Sequence, residues 1–353
     1  MFLATKSKGF CVEIGEHTTL IARLNQASSP IVVEELKEFA SSDSDGLNEW
    51  IKGTEGKGST GYAHATCGIY PAKRVVRRHT LDLKKLKEPS YFSEIYSQQF
   101  RIEPEKYTMR ALNPGDGSEF DTAGKGNQKE VLFCGLPIDD VNSAQDRLLE
   151  HGIYPERLEL GTLATLGGMV NYLKFKQTKS PLLLLEIGEE VTQSFILTAD
   201  GVDISRPIPS GIAAMIPVVQ KELGLKDEES AKKLFYSNTF DFTSMGLTLV
   251  KKLLKELQSS IGFYEVQTGQ SIGNLFCTQL PASLGWLGAT MAGSGALGVP
   301  LLKMDLIPWI ESLQIKLAEG AAGNPPDERW AGLFSLMASF NTDGAKPVTD
   351  EKK

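Results

Sequence analysis

The tetrapeptide Glu-Ile-Gly-Glu occurs twice in this chain, at 13–16 and 186–189, about half a chain length apart. Each copy follows a short apolar run, Gly9-Phe10-Cys11-Val12 and Leu182-Leu183-Leu184-Leu185. Each precedes a β-prone run, Thr18–Ala22 and Val191–Leu197. An apolar run, a glycine turn and a second β-prone run together signal a tight β-hairpin. Two such hairpins opening the two halves of one chain predict an internal duplication.

With 353 residues the chain is long enough for two domains, each with its own core. Hydrophobic content of 41% and charged content of 23% are those of a soluble globular protein. A net charge of −7 gives no general electrostatic reason to bind nucleic acid or an anionic membrane. Cys11, Cys67, Cys134 and Cys277 are scattered without paired spacing and read as reduced, buried cytosolic thiols. Met1–Lys6 offers no apolar stretch for a signal peptide. No side chain between Glu265 and Lys303 is charged, but seven glycines, Pro281 and Pro300 interrupt the segment. It contains no run of the ~20 apolar residues a membrane helix requires.

Periodicity and turn signals divide the chain further. Strands are expected at about 8–14, 17–24 and 30–38, then at Tyr62–Ile69 and Arg74–His79, with a short helix at Leu47–Ile51. Residues 80–157 change rhythm: helix Ser90–Phe100, strand Tyr107–Leu112, polar connection Asn113–Lys129, strand Glu130–Cys134 and helix Asp139–His151. Leu158–Phe175 reads as an apolar helix. The second half repeats the opening with strands at 181–187, 190–198 and 201–207. Helices at about 212–223, 227–236 and 242–267, strands Asn274–Cys277 and Val299–Met304, and a closing helix at 327–340 follow. The charged tail 341–353 is expected to be disordered. The expected domains are a first core of 1–79 plus 158–176, an α-β-β-α insert at 80–157, and a second core at 177–340. That second core carries a helical insertion at about 212–262.

Two motifs mislead. Gly293–Gly298 fits GxGxxG, but a helical stretch precedes it and a strand-like run follows, the reverse of a dinucleotide loop. Lys73, Arg74, Arg77 and Arg78 form a basic cluster without the interleaved aromatics of a nucleic-acid platform. They are candidates for contact with an acidic partner. The four histidines show no metal-binding spacing, and no nucleophile elbow occurs.

In this order the elements resemble the actin-like superfamily and, within it, the PilM family of type IV pilus assembly proteins. The resemblance rests on the paired hairpins and on the α-β-β-α segment. It rests also on Ile204–Gly211 as the third strand and turn of the second half, Leu253–Tyr264 as a long helix ending in Phe-Tyr, and Trp330–Ser339 as the closing helix. It spans about 5–340. It implies an α/β class: a duplicated actin-like (ribonuclease H-like) two-domain fold with an inserted α-β-β-α subdomain.

In that superfamily the hairpin tips, usually Asp-x-Gly, face nucleotide phosphates, and a later diglycine lets adenosine approach. Here Glu13 and Glu186 replace both aspartates, while Gly15 and Gly188 remain and Thr19 and Thr192 keep a hydroxyl near each tip. The extra methylene displaces each carboxylate by about 1.5 Å, enough to spoil a strict octahedral magnesium site. Glu16, Glu189 and Glu190 make the tips acidic, repelling phosphate by about 1 kcal/mol per pair. Thr278 and Gln279 stand where the diglycine is expected.

The resemblance therefore implies a non-catalytic or weakly nucleotide-binding scaffold of a type IV pilus or related secretion machine, cytoplasmic and peripheral to the inner membrane. No cofactor and no metal are expected, with ATP and magnesium as the alternative. The expected partner is the cytoplasmic peptide of an inner-membrane component, bound beside the insert; nucleic acid is not expected, and homo-oligomerisation is left open. The alternative function is an active actin-like ATPase or a filament-forming cytoskeletal protein.

Overall fold

The computed structural model describes residues 9–54, 61–121, 129–237, 239–323 and 326–342. The tail expected to be disordered lies, beyond residue 342, outside the described residues, as does 122–128 of the polar connection. In chain order the first half holds β1 (Gly9–Ile14), β2 (Thr18–Gln26), β3 (Ile31–Ala40), α1 (Ser44–Gly53), β4 (Ala63–Ile69) and β5 (Val75–Thr80). It continues with α2 (Tyr91–Glu94), β6 (Tyr107–Leu112), β7 (Glu130–Pro137), α3 (Ile138–Glu150), β8 (Ile153–Leu160) and α4 (Gly161–Phe175). The second half holds β9 (Leu182–Ile187), β10 (Thr192–Thr198), β11 (Gly201–Ile208), α5 (Ile216–Leu223), α6 (Glu228–Tyr236) and α7 (Gly246–Thr268). β12 (Asn274–Thr278), α8 (Trp286–Ala292), α9 (Leu306–Ser312), β13 (Ile315–Leu317) and α10 (Ala331–Thr342) complete it.

The chain forms two compact units. The first takes its described residues from 9–69, 144–169 and 304–342. Its six-stranded sheet has the order β13-β3-β2-β1-β4-β8. β1, β2 and β3 form an antiparallel meander, and β4 runs parallel to β1. Val12, Ile21, Val33 and Cys67 are fully buried. α10 packs on β1 and β4, with Leu336 lying against Gly68.

The second unit takes its described residues from 70–143 and 170–303. Its four-stranded sheet, β11-β10-β9-β12, repeats the first meander: β9, β10 and β11 are antiparallel and β12 is parallel to β9. The registers match residue for residue. Ile14 pairs with Thr19 and Ile187 with Thr192, while Glu13 lies opposite Gly68 and Glu186 opposite Thr278. Leu183, Leu185, Ile196 and Ile208 meet Val250, Leu253 and Leu257 of α7 in one apolar core. A separate three-stranded sheet, β5-β7-β6, buries Phe133 among the rings of Phe92, Tyr96 and Phe100 at 5.1, 5.2 and 5.8 Å between centroids.

Several boundaries differ from those the sequence suggests. β5, assigned above to the first core, instead pairs antiparallel with β7, because strand propensity fixes conformation and not the partner. Leu158–Phe175 is not one helix. Its start belongs to β8, an edge strand parallel to β4, where Pro155 needs no ladder donor. The run 299–304 makes only the bridge Leu275–Leu301, with Pro300 unable to donate. The closing helix, expected in the second core, packs on the first sheet, and α9 and β13 precede it there. Gly293–Gly298 follows α8 as a turn, with Gly298 at φ +66°. No helix among the described residues is long and apolar enough to cross a membrane.

Candidate functional site

The first hairpin closes through Gly15 N–H donating to Thr18 O (2.9 Å), and Ser41 N–H braces it on His17 O (2.8 Å). Glu13 points inward and is 3% exposed. Its carboxylate lies over Gly332 in the first turn of α10, so closely that any side chain there would collide with it. The partial positive charge at that helix end opposes the cost of burying the carboxylate. Thr19 is buried beside the turn.

The second hairpin closes in the same way, Gly188 N–H donating to Val191 O (3.1 Å). Glu186 is fully buried and accepts from Arg74 Nη2 at 2.7 Å. Arg74 itself is buried and also donates through Nη1 to Tyr70 O (3.3 Å) and Pro71 O (3.0 Å). Its guanidinium stands over the Tyr70 ring. Planar guanidinium and carboxylate thus form a charge-assisted pair, and two backbone carbonyls accept from the same guanidinium.

The backbone of this tip is also occupied. Gly188 O accepts from Ile212 N–H (3.0 Å) and Glu189 O from Ala213 N–H (2.7 Å). Gly211 lies so close to these carbonyls that only glycine fits. The Glu189 carboxylate turns to α6, accepting from Lys232 Nζ and Tyr236 Oη, each at 2.7 Å. Thr192 donates its hydroxyl to Ser210 O at 2.8 Å. At the expected diglycine, Thr278 is buried and Gln279 adopts φ +64°, a conformation that glycine favours.

The four basic candidates are separated by their environments. Lys73 alone is exposed. Burial pushes Arg77 down to about 10. Arg78 donates to Glu130 Oε2 (3.0 Å), Val202 O (2.8 Å) and Asp203 O (2.7 Å), tying β5 to the edge of β11. Asp203 is the extra residue of a bulge in β11; its carboxylate accepts from Arg78 Nη1 through Oδ1 (3.3 Å) and from Tyr264 Oη through Oδ2 (2.9 Å). Burial, then this bond, pushes the Tyr264 phenol up to about 12. Arg74 and Arg78 therefore hold structure, which their strand-like sequence could not announce. The partners Gly332, Lys232, Tyr236 and Asp203 carry no local signal; only the alternation placing Arg74 and Arg78 on one face was legible.

Two meanders in identical register, each followed by a parallel strand, define the duplicated α/β actin-like fold. No family model and no curated protein matches the chain significantly. Among solved structures it is similar to the PilM-PilN type IV pilus biogenesis complex, with 15% identity over 97% of this chain and 100% of that chain, at a TM-score of 0.66. It is similar also to a Bacteroides thetaiotaomicron protein with an actin-like ATPase fold (9% identity, 96% and 99% covered, TM-score 0.43). A third is the cytoplasmic domain of EpsL, an inner-membrane component of the Vibrio cholerae type II secretion system (9% identity, 97% of each chain, TM-score 0.42).

Proposed function

We propose that this chain is a non-catalytic, PilM-like scaffold of a pilus or secretion assembly that binds the cytoplasmic peptide of an inner-membrane component. The observation that carries the reading is the Arg74–Glu186 pair: the acid at the phosphate-facing position of the second tip is closed inside the protein. A magnesium nucleotide needs accessible oxygen donors and free N–H groups. The residues present do not fit one. Glu13 and Glu186 are buried, the 212 and 213 N–H groups are engaged by the tip's own carbonyls, and Glu189 is bonded to α6. Gly15, Gly188, Thr19 and Thr192 keep the turns and fill the interior.

The fold-level likeness to the PilM-PilN type IV pilus biogenesis complex supports the partner half of the reading. Residues 73–78 do not act as one basic surface in it, since only Lys73 is free to reach a partner by exposure. The test is sedimentation with inner-membrane vesicles, cytoplasmic face outward, before and after protease removal of protruding tails. The chain should pellet with intact vesicles and stay in solution with shaved ones. Equal pelleting with both, or with neither, would contradict the proposal.

A further inference from the structure

Helix α7 buries Leu249, Val250, Leu253, Leu257 and Tyr264 on one side. At ~100° per residue the opposite side collects Leu247, Lys251, Lys252, Lys255, Phe263 and Val266 within one arc of about 160°. All six are exposed, Leu247 by 48%, Phe263 by 58% and Val266 by 87%. Leu247 to Val266 covers about 28 Å of helix at ~1.5 Å per residue. Along one edge of this face runs the turn 293–298. Gly295 lies against the Leu247 side chain, and Ala296 O accepts from Gln258 Nε2 at 3.3 Å. Gly293, Ser294 and Gly295 are exposed there, inside the long stretch without a charged side chain between Glu265 and Lys303.

The three lysines are not placed for the sake of the helix itself. The macrodipole favours cations in a last turn, and these stand in the first half. Lys252 has Glu256 four residues on, but that carboxylate turns to Arg206 Nη2 at 2.6 Å. Lys251 and Lys255 stand one turn apart as like charges, a spacing that disfavours a helix. None of the three ammonium groups has an ion pair or hydrogen bond among the described residues. The other acid of the helix, Glu265, is half-buried at the rim of the face. The whole chain is acidic, at −7, so these cations are a local excess set against the overall balance.

We propose that this outer face of α7, with the turn 293–298 beside it, lies on an anionic lipid bilayer. The ammonium groups reach headgroup phosphates, while the lysine stems, Leu247, Phe263 and Val266 enter the interface. Charge complementarity calls for an anionic surface. A bilayer fits it better than an acidic protein does, because cations and large apolar side chains share one straight face, and a bilayer offers anions and apolar matter at successive depths. The neutral turn has no bulky side chain at 293–295 to hold the helix off a plane. Alone the contact is weak. It falls below the marginal binding of one acyl chain, ~10⁴ M⁻¹. It therefore adds to the anchor that a membrane partner supplies, and at dilute lipid it leaves the chain in solution without that partner.

The test is sedimentation of the full chain with protein-free vesicles at millimolar lipid, either half phosphatidylglycerol or all phosphatidylcholine. These vesicles carry no partner, so the outcome is independent of the scaffold reading. The expected result is binding to the anionic vesicles alone, lost at raised salt. Lys251→Gln, Lys252→Gln and Lys255→Gln combined should weaken it by about a hundredfold, at roughly fivefold per lysine. Phe263→Ser with Val266→Ser should weaken it by about tenfold or more. All five side chains are exposed, so both variants should keep the wild-type urea midpoint, which is measured first. Lys84→Gln, Lys85→Gln and Lys87→Gln combined change the net charge equally at another exposed place and should leave binding intact. Equal binding to both lipids, binding to neither, or equal loss in the two lysine variants would overturn the proposal. Lysine-dependent binding to polyglutamate without binding to vesicles would also overturn it, assigning the face to an acidic protein.

Discussion

Arg74 stands one residue before β5 and reaches Glu186 at the end of β9, where neither group is exposed to water. Removing one member of such a pair leaves the other buried without its counter-charge, a loss of about 3–5 kcal/mol. Arg74→Met or Glu186→Gln should therefore lower the urea-unfolding free energy by roughly that amount, while Arg74→Met combined with Glu186→Leu should recover much of it. Single variants within about 1 kcal/mol of wild type would mean that the pair contributes little. Burial holds both His79 and His151 below the ordinary imidazole value, and Arg147 adds to the effect on His151. The unfolded chain then binds protons that the folded one refuses. Their contribution is intact above about pH 6.5 and is lost as pH falls through the lowered folded values. Wild type should lose more stability between about pH 7 and pH 5 than the double variant His79→Gln, His151→Gln, as read from paired urea titrations.

At the scale of elements, the insert sheet is held by one ring. Phe133, fully buried, touches the aromatic side chains of Phe92, Tyr96 and Phe100. Phe133→Ala should cost about 3–5 kcal/mol, and native-state hydrogen exchange should show the loss first in β5, β6 and β7. Uniform loss of protection across the second unit would place the effect elsewhere. The hairpins were legible because a glycine turn between apolar runs is a local signal, and both turns close as the repeated tetrapeptide suggests. β8 was not, since Pro155, Glu156 and Arg157 read as loop and are tolerated only at a sheet edge. β13 has three residues, too few for any period. The candidate site was half legible. Glu13 and Glu186 were found from their place before each glycine, but their burial depends on Gly332 and Arg74, more than a hundred residues away in sequence, and no local pattern records such contacts.

For the molecule as a whole, the duplication explains why two glutamates recur at one structural position and why both are interior. A β1–β2 hairpin and its counterpart in β9–β10 turn the same strand face inward, so an acid before the glycine is either a ligand of something bound or a partner of something built in. Here the Glu13 carboxylate lies against Gly332 in the first turn of α10, and Arg74 pairs with Glu186. That use of both acids is the central claim, and isothermal titration calorimetry with Mg-ATP tests it most directly. No resolvable heat of binding is expected below about millimolar nucleotide, an affinity of roughly 4 kcal/mol or less, and no phosphate release on long incubation. Saturable binding at about micromolar Mg-ATP, a gain of roughly 8 kcal/mol, abolished by Glu186→Gln in a variant shown to remain folded, would contradict it.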